Sequence, residues 1–400
     1  MTEPPQGSRN HTSRRLYALV CSGAFFAIAT EALISLLLPL LVLRNELSLI
    51  QLGIVVAIGS VGPILFALPS GAFCDHFGDR RMMFLSALGV FFSSLAYTLF
   101  DDFILLCGVA MIGGLFRSIS WVATQSYALR FISADRRQKF MGHFSFVAGM
   151  GMLISPLGAG YLAENVGLVS GFQFMACWGG MLMLVAWRLP EVERPLRPDR
   201  PMTAVILSSY RNALPLLARP VMLVIMAFTL LRLAAAAINA SFYPVHLDNI
   251  GISATIIGQL FALMHVGTSV GTLIAAPLAR RLSGPLILSA SLLVSTAGVA
   301  VVPLFNALWP IALCTFLYGL GQGISLPQIL AAIGRHADPA ERGLVLGMRS
   351  MCNRVGYLFV PVILGAVAES AGLQFAFLST GAGIILLVLV STVALLKIDR

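Results

Sequence analysis

The chain has 400 residues, 58% hydrophobic and 11% charged, with a mean hydropathy of +0.90. A soluble domain carries about 25% charged and 45–50% apolar residues, so water is excluded as its solvent, and no hydrophilic stretch is long enough for a separate soluble domain. The formal net charge of +9 does not point to nucleic acid, because the basic residues fall in short stretches between apolar runs, where the positive-inside rule puts them.

The first fifteen residues, MTEPPQGSRNHTSRR, are polar and carry no small-residue cleavage site, so no removable signal peptide is expected. A bilayer-crossing helix needs about 20 mostly apolar residues. Twelve such spans are expected, at about 16–43, 48–73, 82–100, 103–130, 141–163, 168–187, 220–245, 253–279, 285–304, 308–333, 343–367 and 373–396. They are too long for barrel strands and lack period-two alternation, which makes this an all-α membrane protein. Spans two, three and nine are plainly apolar, whereas four, ten and eleven carry polar residues in mid-helix. Between spans two and three the stretch Gly71–Arg81, GAFCDHFGDRR, is too polar for hydrocarbon and reads as a loop. The one long connection, 188–219, begins proline-rich and charged, as a linker does. It divides the chain into 1–187 and 220–400, six spans each.

Twenty-one of the 26 basic residues lie on the side of the termini, and the opposite loops hold only Arg44. Both termini are therefore expected in the cytoplasm. The six cysteines have no metal-ligand spacing and read as packing thiols; no metal or cofactor is expected.

A shift of 205 residues aligns the two halves without a gap. It pairs Gly53 with Gly258, Gly62 with Gly267, Gly114 with Gly319, Pro156 with Pro361 and Gly160 with Gly365. It also pairs Arg130 with Arg335, Arg137 with Arg342, Ala163-Glu164 with Ala368-Glu369 and Gly167 with Gly372. Chance similarity between apolar helices would match Leu and Val, not glycines, prolines and loop charges. Parallel six-span repeats are the layout of one large class of transporters.

In the loop, Gly71, Asp75, Gly78 and Arg80 occupy four positions of a G-x-x-x-D-(R/K)-x-G-(R/K)-(R/K) pattern, followed by Arg81. His76 and Asp79 depart from it where bases are usual. The chain thereby resembles the major facilitator superfamily over essentially its whole length. The resemblance implies that this loop latches the halves in an outward-open state through Asp75; the plainer reading is a loop that only sets topology. The matching stretch of the second half, Ala276–Gly284, has Arg280 opposite Asp75, so the latch would be one-sided. Span five, with Gly142, Gly151, Ser155, Pro156, Ala159 and Gly160, resembles the efflux branch's G-x8-G-x3-G-P-x2-G-G, with Ser155 and Ala159 replacing glycines. That favours export, while ordinary helix packing would need the same small residues.

A charge at mid-bilayer costs roughly 2.5–3.5 kcal/mol on insertion scales and is tolerated where it faces a cavity or other helices. Glu31 is the only acid near the middle of a span; Arg117, Arg232, Arg349 and Arg354 are also within spans. In the family fold, spans one, four, seven and ten line a cavity, supported by two, five, eight and eleven, and all five charges lie on those spans. Arg117, Trp121, Thr124 and Gln125 share a helical face, as do Arg232, Asn239 and Tyr243, and His265, Thr268, Ser269 and Thr272. Gln322 matches Arg117 in the repeat, and Asn353 adjoins Arg354. His143 and His265 also fit plain helix–helix hydrogen bonding. Glu31 reads either as a coupling proton site or as a fixed salt bridge with Arg117 or Arg232. An excess of arginine in the cavity favours an organic anion, such as a carboxylate siderophore or acidic drug.

The expectation is a monomeric secondary transporter of the inner membrane, not an enzyme, whose partners are a small-molecule substrate, protons and the bilayer. Proton-coupled export is its function on this reading. Import of an organic anion, or a non-transporting sensor or assembly factor with the same fold, are the alternatives.

Overall fold

The computed structural model describes residues 14–66, 70–132, 136–191, 215, 219–336 and 342–398; among them no strand occurs. Spans one to six are Arg14–Arg44, Leu49–Phe66 with Ser70–Phe77, Asp79–Ala96, Phe103–Phe131, Arg137–Asn165 and Leu168–Arg188. Spans seven to twelve are Pro220–Ser241 with Tyr243–Asn249, Ala254–Ala279, Gly284–Ala300, Leu308–His336, Arg342–Ala371 and Leu373–Ile398. Most of the 188–219 linker lies outside the described residues.

Ten of these helices are long and apolar enough to cross a membrane. Spans three and nine, expected to be among the clearest, fall short for different reasons. Span three is an 18-residue helix that opens on Asp79, Arg80 and Arg81, and span nine is only 17 residues, followed by the single 3-10 turn Val302–Leu304. The expected loop Gly71–Arg81 is also corrected. Its first seven residues are helical, Asp79–Arg81 begin the next helix, and Gly78 alone makes the break. At φ 89° Gly78 occupies a region where a side chain would be strained. Span seven, expected to run unbroken to 245, stops at Ser241 and resumes at Tyr243, with Pro244 in the new first turn.

Within each half, span four packs on two and three, and span ten on eight and nine. Span one packs on five and six, and span seven on eleven and twelve. Across the halves, span two packs on eleven and span five on eight. These contacts keep the 205-residue offset. A Cβ added to Gly114 would stand 1.9 Å from the Gly59 carbonyl oxygen, and one on Gly319 2.1 Å from that of Met264. Gly62 faces the Met111 carbonyl oxygen at 3.1 Å, and Gly267 that of Phe316 at 2.5 Å. The small residues therefore let backbones meet at equivalent places in two pseudo-symmetric six-helix halves.

The halves meet most closely at the end of the bundle away from Arg14 and Ile398. There a Cβ on Gly160 would be 2.4 Å from the Ala254 carbonyl oxygen, and one on Gly258 2.3 Å from that of Pro156. The symmetry copy has Gly365 at 2.6 Å from Leu49 and Gly53 at 2.3 Å from Pro361. The large apolar core spans both halves at this end, taking in Ala29 to Val42 of span one. Residues Val20 to Ala27 of the same helix belong to a second cluster confined to the first half. The change falls beside Glu31.

Candidate functional site

Glu31 lies where span one leaves one apolar cluster for the other. Its Oε2 is 3.6 Å from Arg117 Nε in its own half, and its Oε1 is 3.7 Å from Arg354 Nη2 in the other. The Arg117 side chain is 6% exposed, against 27% for Glu31 and 29% for Arg354. The carboxylate thus joins a dry arginine to one that borders open space. Tyr97, fully buried, is within electrostatic reach of Arg117 and Glu31. Tyr357, three residues after Arg354 on span eleven, is within reach of Glu31, Arg354 and Arg232. No sequence signal marks Tyr97, whereas Tyr357 stands one helical turn from Arg354.

Arg232 does not join this cluster. Its Nε donates to Ser325 Oγ at 3.1 Å and its Nη2 to the Gln322 carbonyl oxygen at 3.3 Å. Gln322 in turn donates from Nε2 to the Arg232 carbonyl oxygen at 3.2 Å and to Ser295 Oγ at 2.8 Å, tying spans seven, nine and ten. Arg117 and Gln322, equivalent by the repeat, are thus both buried anchors of their own halves. Arg349 is near enough to Arg232 for their charges to interact. Among the described residues neither pairs with a carboxylate. Arg349 Nε and Asn353 Oδ1, one turn apart on span eleven, are buried without a hydrogen-bond partner among the described residues.

The remaining expected residues divide. Trp121 is half-buried against Phe144 of span five, ring centroids 5.9 Å apart. Gln125 is half-buried and Asn239 buried. Tyr243 is packed inside the second half, its hydroxyl bonded to Thr315 and its ring against Phe261. The helix break at Phe242 ends the register that would have set Tyr243 on one face with Arg232. His265 is half-buried, and the Thr268, Ser269 and Thr272 hydroxyls on its helix bond back to their own backbone. His143 bonds Tyr17 between spans five and one. The span-five glycines differ in use. A Cβ on Gly151 would stand 2.4 Å from the Phe25 carbonyl oxygen of span one, and Gly160 and Pro156 meet span eight, whereas Gly142 has nothing within 4 Å.

Around the family-like stretch, Gly71 and Asp75 lie in the helix Ser70–Phe77, but their surroundings are outside the described residues. The acid whose partner is described is Asp79, read in the sequence only as a departure. It is 5% exposed and its Oδ2 is 3.3 Å from Arg130 Nε. Arg80 donates to the carbonyl oxygens of Ala186 and Trp187, at 3.2 and 2.7 Å, at the end of span six. Arg81 pairs with Glu191 at 3.6 Å. Together they staple spans three, four and six of the first half at its terminus end.

Two six-helix halves, closed on one another at one end, with Glu31 bridging Arg117 and Arg354 between them, are the arrangement of a multi-pass membrane transporter. The sequence profile of the Major Facilitator Superfamily matches residues 20–243 and 224–400. The chain belongs to that family, whose members are secondary transporters rather than enzymes. It is 23% identical over 379 residues to the enterobactin exporter EntS of Shigella flexneri, covering 92% of this chain and 90% of that one. To EntS of Escherichia coli O1:K1 it is 22% identical over 382 residues, with the same coverage. Among solved structures, a point mutant of the nucleoside transporter NupG superposes with TM-score 0.82 at 13% identity, over 95% of this chain and 99% of that one. The inward-open xylose transporter XylE of E. coli gives 0.72 at 15% identity, over 94% and 95%. At these identities the structures establish the fold.

Proposed function

We propose that this protein is a proton-coupled exporter of a small organic anion, working as a monomer in a bacterial inner membrane with both termini cytoplasmic. Its moving bodies are residues 1–187 and 220–400, joined by 188–219. The observation that carries the reading is the Glu31 carboxylate bridging Arg117 of one half and Arg354 of the other. That bridge ties the halves at mid-bundle when the site is empty. A proton on Glu31 releases it, and so does an anion that takes Arg354 from Glu31. Either ligand alone frees the halves, which is the requirement for exchange. Arg232 and Arg349, with no carboxylate partner among the described residues, and Asn353 supply the seat for the anion. Trp121, Gln125, Asn239, Gln322 and His265 flank it, with Tyr243 behind. Similarity to proteins named as enterobactin exporters supports both the outward direction and a siderophore-like cargo. The released state of the Gly71, Asp75, Gly78, Arg80 and Arg81 latch accompanies closure at the opposite end.

The same bridge also fits import: protonation of Glu31 frees Arg354 for the anion, and by reciprocity the two ligands then favour each other's binding. Such binding together gives symport. Substrate affinity measured against pH separates the two: export by exchange requires affinity to fall as Glu31 is protonated, and symport requires it to rise.

The anion reading is tested by thermal shift of the purified protein against organic anions, enterobactin included, and matched cations. Arg232→Gln with Arg349→Gln should weaken anion binding at least about tenfold, as loss of charge-assisted hydrogen bonds does. An equal response to cations, undiminished in that variant, overturns it. Absence of pH-driven flux in vesicles from protein that still binds would identify a sensor.

A further inference from the structure

The end of the bundle away from the termini carries a second symmetric feature besides the glycine contacts. Glu164, in the last turn of span five, accepts at Oε2 a hydrogen bond from the Thr255 backbone N–H, 2.9 Å away, in the first turn of span eight. Glu369, in the last turn of span eleven, accepts one at 3.0 Å from the Ile50 N–H in the first turn of span two. Acids and amides alike are related by the 205-residue offset. Each bond runs from one half to the other.

The first N–H groups of a helix have no partner within it, and its N-terminus carries a partial positive charge. A carboxylate there both caps and neutralises. Here the cap comes from the opposite half. On span eight the N-cap residue Ser253 makes no side-chain capping bond of its own, and its side chain interacts with Glu164 instead. On span two Ser48 and Gln51 also form a capping box, at 2.8 and 3.3 Å. Both acids are exposed, so the bonds cost little desolvation, and separation of the halves would hand both amides to water.

We propose that Glu164 and Glu369 are paired bolts that hold this end of the transporter shut, setting the equilibrium between its two facing states, with Glu164 the stronger. The glycine contacts at Gly53, Gly160, Gly258 and Gly365 give the backbones the approach that the bolts need. Neither acid belongs to the substrate or proton site, so the proposal stands whatever the cargo.

The test uses the full chain with Cys177 and Cys352 replaced by serine and spin labels at Asp101→Cys and Asn306→Cys, exposed loop positions of the two halves at the bolted end. Pulsed electron paramagnetic resonance in nanodiscs reads the distance between them. Glu164→Ala should shift the population toward longer distances about fivefold, Glu369→Ala less, and the double variant more than either. Glu164→Lys should exceed Glu164→Ala, because a lysine opposes the helix dipole. A double alanine variant with the parent distance distribution overturns the proposal, as does a lysine variant no more open than the alanine one. If the alanine variants do not fold, Glu164→Gln with Glu369→Gln keeps an acceptor and drops the charge. It should open about threefold, and an unchanged distribution overturns the proposal equally.

Discussion

Glu31 is held by an arginine from each half, so its replacement acts on both stability and transport. In Glu31→Gln the buried Arg117 guanidinium loses its counter-charge. Breaking a fully buried pair costs about 3–5 kcal/mol, and water reaching Glu31 brings the expected loss toward the lower end. The variant should therefore unfold at lower temperature and lose all flux driven by a pH gradient. Differential scanning fluorimetry and vesicle flux check the two halves of this statement. Full pH-driven flux would remove Glu31 from the mechanism. At the same scale Asp79 turns a departure from the motif into a contact. Where the family pattern has a base, an acid at the first turn of span three meets both the helix N-terminus and Arg130.

The small residues of span five divide into those that meet another backbone and those that do not, and their substitutions should divide likewise. Gly160→Ala sets a Cβ 2.4 Å from the Ala254 carbonyl oxygen of span eight, so the halves cannot close at the bolted end. Transport should stop, and labels at that end should read longer distances. Gly142→Ala meets nothing within 4 Å. It should leave transport intact and stabilise the helix by up to about 1 kcal/mol. The sequence already contained the spans, the repeat and the glycine pairs, because apolar length and backbone contact are written in residue type. Three features were not legible in it. The break at Phe242 depends on the chain turning between two helices that both read as apolar. The partition of the arginines, Arg117 and Arg354 to Glu31 but Arg232 to Ser325 and Gln322, depends on side-chain reach across helices. The caps given by Glu164 and Glu369 join residues that a linear reading files separately, as loop acids and helix starts.

Over the whole molecule the backbone contacts are two-fold and the mid-bundle charges are not. Glycine and proline contacts recur at the 205-residue offset, while Glu31 and Arg232 are matched by Ala236 and Ala27. A symmetric frame lets the two facing states be of similar geometry, and an asymmetric charge set gives the site one chemical identity. The unequal lengths of the spans have a further consequence. Span one has 31 residues, about 46 Å of helix, whereas spans three and nine, with 18 and 17, reach only about 27 and 26 Å. The hydrocarbon layer is about 30 Å thick. The long helices accommodate a thicker bilayer by changing tilt, but the two short ones, packed outside spans four and six and outside ten and twelve, have no length in reserve. Thickening would draw Asp79, Arg80 and Arg81 toward acyl chains or force the lipid to thin around them. Transport in vesicles should accordingly fall as acyl chains lengthen from 16 to about 22 carbons, making membrane thickness itself a variable to which this protein responds.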